Sequence, residues 1–142
     1  MSEVIRTDGA PAPVGAYPHA RRVGDLLFLS GVGPRQPGTN TIPGNVYDAD
    51  GKLLSYDIEQ QCRQVFANVR AVLEASGAHW EQLVDVTVFL TDMANDFPVY
   101  NRLYADYFKG VDACRTTLGI TALPTPIAIE LKCIAALPSS AR

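Results

Sequence analysis

The sequence predicts an α+β fold in which a mixed sheet carries two helices on one face. Three observations lead there. Residues 57–76 set Ile58, Cys62, Val65, Phe66, Val69, Val72 and Leu73 along one side of a helix. Residues 84–90, VDVTVFL, alternate as a strand does. A second helical pattern then precedes two apolar runs, 115–122 and 127–136. With the N-terminal strands, the order is β-β-β-α-β-α-β-β, which suits a two-layer sandwich.

Each element has a local cause. Val4–Arg6 is a short strand, followed by the loop GAPAPVGAYP. His19–Val23 and Leu26–Ser30 flank Gly24-Asp25, a two-residue hairpin signal, because such turns require a positive φ that glycine supplies. The stretch Gly31–Leu54 is dense in Gly, Pro, Asn and Asp and reads as a long loop, with a short hairpin around Asp50-Gly51. Asp57 with Gln60 resembles a capping box at the start of the first helix, and Gly77 suits its end. The second helix is expected from about Asp96 to Lys109, with Phe97, Tyr100, Tyr104, Tyr107 and Phe108 inward and Gly110 ending it. Leu123-Pro124-Thr125-Pro126 makes a turn, so Arg115–Ala122 and Ile127–Ala136 read as a β-hairpin.

One sheet face remains without helices. In the last strand Ile127, Ile129, Leu131 and Cys133 point one way, and Ala128, Glu130, Lys132 and Ile134 the other. In the middle strand Val84, Val86, Val88 and Leu90 oppose Asp85, Thr87 and Phe89. A face of mixed apolar and polar groups is commonly buried by self-association, which predicts a cyclic homo-oligomer with the Arg115/Glu130 region beside its contacts.

Composition narrows the function classes. A chain of 142 residues is expected to be one domain, spanning 1–142. The net charge of −3, with no basic run, recruits neither nucleic acid nor an anionic membrane surface. No apolar stretch reaches signal-peptide or membrane-span length, so a cytoplasmic location is expected. Three cysteines, Cys62, Cys114 and Cys133, form an odd set without CxxC spacing, which reads as reduced thiols. His19 and His79 stand far apart without ligand-like companions, so a zinc or iron site has little support, and no phosphate loop or GxSxG occurs.

The residues with chemical capacity lie in the apolar C-terminal strands. Arg115 offers a fork of donors suited to a carboxylate, and Glu130 could act as a base, its pKa raised by burial. The alternative for both is a structural ion pair, with one another or between Glu130 and Lys132. Tyr17 stands in a loop that could close over a cleft, or it packs. Ser30-Gly31 ends an apolar strand, where a hydroxyl and free backbone groups meet a ligand or merely terminate the strand. Asn101 lies in a helix rich in aromatics, reaching a buried partner or solvent. Cys114 beside Arg115 suggests a nucleophile, but without a nearby histidine the structural reading leads.

These residues sit in a series of motifs: GAYPHA, LLFLSGVGP, the helix ending EASGA, VDVTVFLTDMANDFPVYNRLYADYF and CRTTLGITALPTPIAIELKCIAA. In that order the chain resembles the Rid (YjgF-like) reactive-intermediate deaminases over nearly its whole length. The resemblance implies a chorismate-mutase-like fold assembled as a trimer, alone or as a dimer of trimers, with clefts between subunits. It implies cofactor-free hydrolysis of 2-imino or 2-enamino acids, small carboxylates, to 2-oxo acids and ammonia. Arg115 then corresponds to the residue gripping the substrate carboxylate and Glu130 to the one positioning water, while Tyr17, Ser30, Gly31 and Asn101 line the cleft. Thr117 departs from the pattern, since many relatives carry cysteine there. The long loop after Ser30, with Arg35-Gln36-Pro37 and Asn40-Thr41-Ile42, looks like the 2-aminomuconate deaminase branch. That substrate is a dicarboxylate, for which His19, Arg21, Arg22, Arg35 and Lys132 are candidate second cations. The alternatives are a general 2-imino acid deaminase and a non-catalytic small-molecule-binding trimer.

Overall fold

Helix α1 (Ile58–Ala75) starts where the sequence marks it: Asp57 accepts from the Gln60 backbone N–H at 3.2 Å, and the Gln60 amide returns to the second Asp57 oxygen at 3.0 Å. It ends at Ser76, followed by Gly77 at φ 74°. Helix α2 (Met93–Tyr107) begins earlier than expected, because Asp92 rather than Asp96 caps it, accepting from Asn95 N–H at 3.3 Å. Asp96 is instead buried and accepts from the Tyr56 hydroxyl at 2.6 Å. This computed structural model describes residues 2–137; the remaining ends of the expected 1–142 domain lie outside the described residues.

The strands are β1 (Ser2–Ile5), β2 (Ala20–Val23), β3 (Leu26–Leu29), β4 (Val46–Tyr47), β5 (Leu53–Ser55), β6 (Leu83–Leu90), β7 (Cys114–Gly119) and β8 (Ile129–Ala136). Six of them form one mixed sheet in the order β1-β2-β3-β8-β6-β7, in which only β6 and β7 pair in parallel. The β2–β3 hairpin turns at Gly24, whose φ is 60°. Around Asp50-Gly51 the expected small hairpin, β4–β5, stands apart from the main sheet. A single 3₁₀ turn, Trp80–Gln82, which the periodicity did not signal, leads into β6.

Two expectations need correction. The runs around Arg115 and Glu130 do not form a hairpin, because β6 lies between β7 and β8. As one of the sheet's inner strands β6 pairs its backbone on both edges, and two prolines in the 123–126 turn deny a ladder to the flanking chain. Val84 also does not share the buried face of Val86, Val88 and Leu90. A bulge between Leu83 and Asp85 shifts the register, leaving Leu83 buried and Val84 exposed.

The helices cover the face carrying Leu83, Val86, Val88, Leu90, Ile129, Leu131 and Cys133. An aromatic cluster closes one end: Phe66, Trp80, Tyr104 and Phe108 pack edge-on or stacked, and the Trp80 indole donates to the Tyr107 carbonyl at 2.8 Å. The opposite face leaves Phe28, Val84 and Leu118 exposed.

Buried amides on α1 fasten the loops. Gln61 accepts from Ala128 N–H at 2.8 Å and donates to Asn45 at 3.0 Å. The Asn68 amide donates to the carbonyls of Gly33 at 2.8 Å and Arg35 at 2.7 Å. Replacing Asn68 by Ala strands both carbonyls, so stability should fall by about 2 kcal/mol. Urea denaturation checks this: the midpoint should drop with the slope unchanged.

Candidate functional site

Glu130 lies on the helix-free face of β8, opposite Phe89 of β6 and half-buried. Burial pushes its carboxyl above the ordinary glutamate range. Its neighbour is Gly31. A Cβ on Gly31 would stand 2.6 Å from Glu130 Oε2 and 2.9 Å from its Cδ, so a larger residue there would push the carboxylate out of its present position. The approach is held by paired bonds between Val32 and Leu131, at 2.8 and 2.9 Å.

The loop before β2 joins this half. Ser30 Oγ donates to the Pro18 carbonyl at 2.6 Å, and Ser30 N–H donates to the His19 carbonyl at 3.0 Å. Tyr17, His19, Ser30, Gly31 and Arg35 line one small cavity of about 40 Å³. A wider cleft of about 850 Å³ shares Tyr17 and His19 with it. The Tyr17 hydroxyl accepts from Val14 N–H at 3.2 Å, which folds the loop on itself.

Arg115 belongs to a different half. On β7 it pairs with Val86, so it shares the helix side of the sheet and meets α2. Its Nη1 donates to Asn101 Oδ1 at 2.8 Å, and its guanidinium carbon lies 4.8 Å from the Tyr104 ring centre, 5.4 Å from that of Tyr100 and 6.0 Å from that of Phe97. Thr117, two residues on, has its Oγ1 3.1 Å from the Tyr100 hydroxyl.

Within one chain these halves do not meet. Arg115 and Glu130 sit two strands apart and point to opposite faces, with Cα atoms roughly 14 Å apart by strand spacing and rise. The ion pair left open by the sequence is therefore not formed. Among the described residues the salt bridges join Glu59 to Arg63 at 3.0 Å and to Arg102 at 3.5 Å. Lys132 does not bridge to Glu130 either; its ammonium donates to the Leu29 carbonyl.

The other basic candidates are similarly occupied. Thr7 N–H donates to His19 Nδ1 at 3.3 Å, which leaves the ring proton on Nε2, 2.9 Å from the Pro11 carbonyl. Arg35 donates to Asn40 Oδ1 at 2.8 Å and to the Ala12 carbonyl at 2.7 Å. Arg21 donates to Ser2 Oγ at 2.7 Å and Arg22 to the Gly24 carbonyl at 3.0 Å. All three cysteines are unpaired; Cys114 is exposed, while burial pushes the Cys62 and Cys133 thiols up to about 12. No group of three or more His, Cys, Asp or Glu side chains among the described residues could hold a metal ion. No helix among them is long and apolar enough to cross a membrane.

Sequence reasoning overlooked two contributors. Tyr104 and Tyr100 are core residues, as their spacing indicates, yet they also form the surface under Arg115. The clue was available: Asn101 and Tyr104 are three apart and share a helix face. The steric role of Gly31 had no sequence signal, since it depends on which residue the neighbouring strand brings opposite.

The endoribonuclease L-PSP family model matches residues 7–137. A RutC family protein from Pyrococcus horikoshii is 38% identical over 135 residues, covering 95% of this chain and 98% of that protein. The chloroplastic Reactive Intermediate Deaminase A of Arabidopsis thaliana is 39% identical over 135 residues, covering 95% of this chain and 66% of that protein. Among solved structures, TdcF from E. coli with bound serine superposes with a TM-score of 0.81 at 29% identity, over 96% of this chain and 99% of that one.

The contact between Gly31 and Glu130 can be tested directly. Gly31→Ala should cost under about 1 kcal/mol in thermal or urea denaturation, because the atoms in its way are the movable end of the Glu130 side chain. In the background of Glu130→Ala that cost should vanish. Equal costs in both backgrounds would show that the clash is not with the carboxylate.

Proposed function

This chain belongs to the endoribonuclease L-PSP family of RutC and Rid proteins, and we propose that it is a cofactor-independent hydrolytic deaminase of 2-imino and 2-enamino acids. The observation that carries this reading is Arg115: an exposed guanidinium that makes no salt bridge to any described residue, steadied by Asn101 and an aromatic surface. Such a group suits an exogenous carboxylate held by two parallel hydrogen bonds. The related TdcF, with serine bound, accommodates a small molecule of that kind.

In the reaction Arg115 anchors the carboxylate next to the C=N carbon. Glu130, as carboxylate, takes a proton from water while the water oxygen bonds to the carbon of the protonated imine, whose C=N electron pair moves to nitrogen. Glu130 then passes that proton to the amine of the carbinolamine, the C–N bond breaks to release ammonia, and loss of the hydroxyl proton to solvent leaves the 2-oxo acid. Orientation and charge complementarity supply the rate. Since Arg115 and Glu130 face opposite ways, a complete site needs two chains, the Arg115 half of one against the Glu130 half of the next. A cyclic trimer repeats that heterologous contact and closes, covering the exposed Phe28 and Leu118 face.

Substrate choice follows from the cations. A dicarboxylate such as 2-aminomuconate calls for a second anchor, and His19, Arg21, Arg22, Arg35 and Lys132 each already hydrogen-bond within the chain. Arg21, Arg22 and Arg35 keep further donors, as Arg115 does, so the monocarboxylate reading is supported instead by the likeness to a Reactive Intermediate Deaminase A. Ammonia release from 2-iminobutyrate should exceed that from enzymatically generated 2-aminomuconate, and the reverse would return the assignment to the aromatic-catabolic branch. The acid limb of kcat for 2-iminobutyrate should lie above the ordinary glutamate range, because a base with a raised pKa is lost sooner as pH falls. Glu130→Gln should remove that limb along with most turnover.

Mixing chains tests the shared site. Arg115→Ala and Glu130→Gln proteins, each inactive alone, should regain roughly a quarter of wild-type activity when co-assembled at random, because a quarter of their contacts join two intact halves. No recovery from verified mixed oligomers would mean that both residues act within one chain.

A further inference from the structure

We propose that Tyr104 is a positioning residue for Arg115, acting through the face of its ring rather than through its hydroxyl. The inference rests on the reading of Arg115 as the carboxylate anchor.

Arg115 is an exposed side chain on an edge strand, and a free arginine there would spread over many rotamers. Two contacts restrict it. Asn101 takes one N–H of the fork at 2.8 Å and so fixes a direction within the guanidinium plane. Tyr104 presents the nearest of three rings, 4.8 Å from the guanidinium carbon, and limits where that plane can lie. Asn101 takes one donor and the Tyr100 hydroxyl also interacts with the guanidinium, and the rest of the fork remains for a ligand.

The ring itself is immobile. Tyr104 stacks on Phe108 with centroids 3.9 Å apart and planes 10° from parallel, and meets Phe66 edge-on at 6.4 Å. It is 8% exposed, and the packing around it opposes rotation away from the arginine. Its hydroxyl contributes no hydrogen bond: the oxygen is buried and pairs with no described residue. An ordinary core position would be served as well by phenylalanine. What this position supplies to Arg115 is the negative face of a fixed aromatic ring, the feature that attracts a cation.

The test separates shape from charge distribution. Phenylalanine and pentafluorophenylalanine are introduced at position 104; the second keeps the ring's outline but inverts its quadrupole. Tyr104→Phe should leave KM for 2-iminobutyrate within about twofold, whereas the fluorinated ring should raise it roughly three- to fivefold with kcat less affected. Binding of 2-oxobutyrate should weaken by the same factor, and binding of its methyl ester should not. Tyr104→Leu, which keeps apolar bulk without a π face, should repeat the rise should the fluorinated chain fail to fold. Equal KM and equal 2-oxobutyrate affinity for both rings would overturn the proposal and leave Tyr104 a packing residue. Arg115→Ala run alongside keeps the two readings apart. An unchanged KM there would defeat the anchor reading itself, whereas a raised KM with equivalent rings would defeat the Tyr104 inference alone.

Discussion

Strand β6 must satisfy its backbone on two edges, and the rest of the site depends on how it does so. One edge takes β8 antiparallel; the other takes β7 in parallel, which requires a crossover, and α2 is that crossover. The helix then packs on the same side of the sheet as Arg115 and supplies Asn101 and the three aromatic rings around its guanidinium. The same pairing sends Glu130 of β8 to the other side, against Gly31. Two charges only 15 positions apart in sequence (115 and 130) are thus separated by a strand and by a sheet face.

That separation has an electrostatic consequence. Had the two charges met within the chain, each would have neutralised the other, and breaking the pair to admit a substrate would have been costly. Instead, Arg115 retains donors for an anion, stabilised by ring faces that attract cations without binding them as an acid would. Glu130 is half-buried and makes no salt bridge to a described residue, and burial raises its proton affinity toward a range useful to a base. The amides of Gln61 and Asn68 complete the arrangement from α1, since they hold the long loop in the register that sets Gly31 beside Glu130.

Much of this was legible before any coordinates. The two helices, the β2–β3 hairpin and the alternation along β8 follow from periods of 3.6 and 2 and from turn chemistry, all of them local signals. The expected β7–β8 hairpin failed because adjacency in sequence was read as adjacency in the sheet, and nothing local reveals that a third strand will intervene. Val84 was assigned to the wrong face because a bulge breaks the period on which the assignment relied. The basic residues near the long loop read as candidate anchors or solvated surface; only the folded loops show that His19 and Arg35 hold backbone and side-chain oxygens.

By itself the sequence singled out the two groups to which we assign the chemistry, since an arginine and a glutamate among aliphatic strand residues are visible in one dimension, and it determined the layer architecture, because hydrophobic period is a property of short segments. The tertiary structure decided where those groups point. Strand order placed Arg115 and Glu130 on opposite faces, and a glycine from a distant loop gave the carboxylate its space. Contacts of that kind join residues far apart in the chain, and their energies depend on distances that a local pattern does not encode.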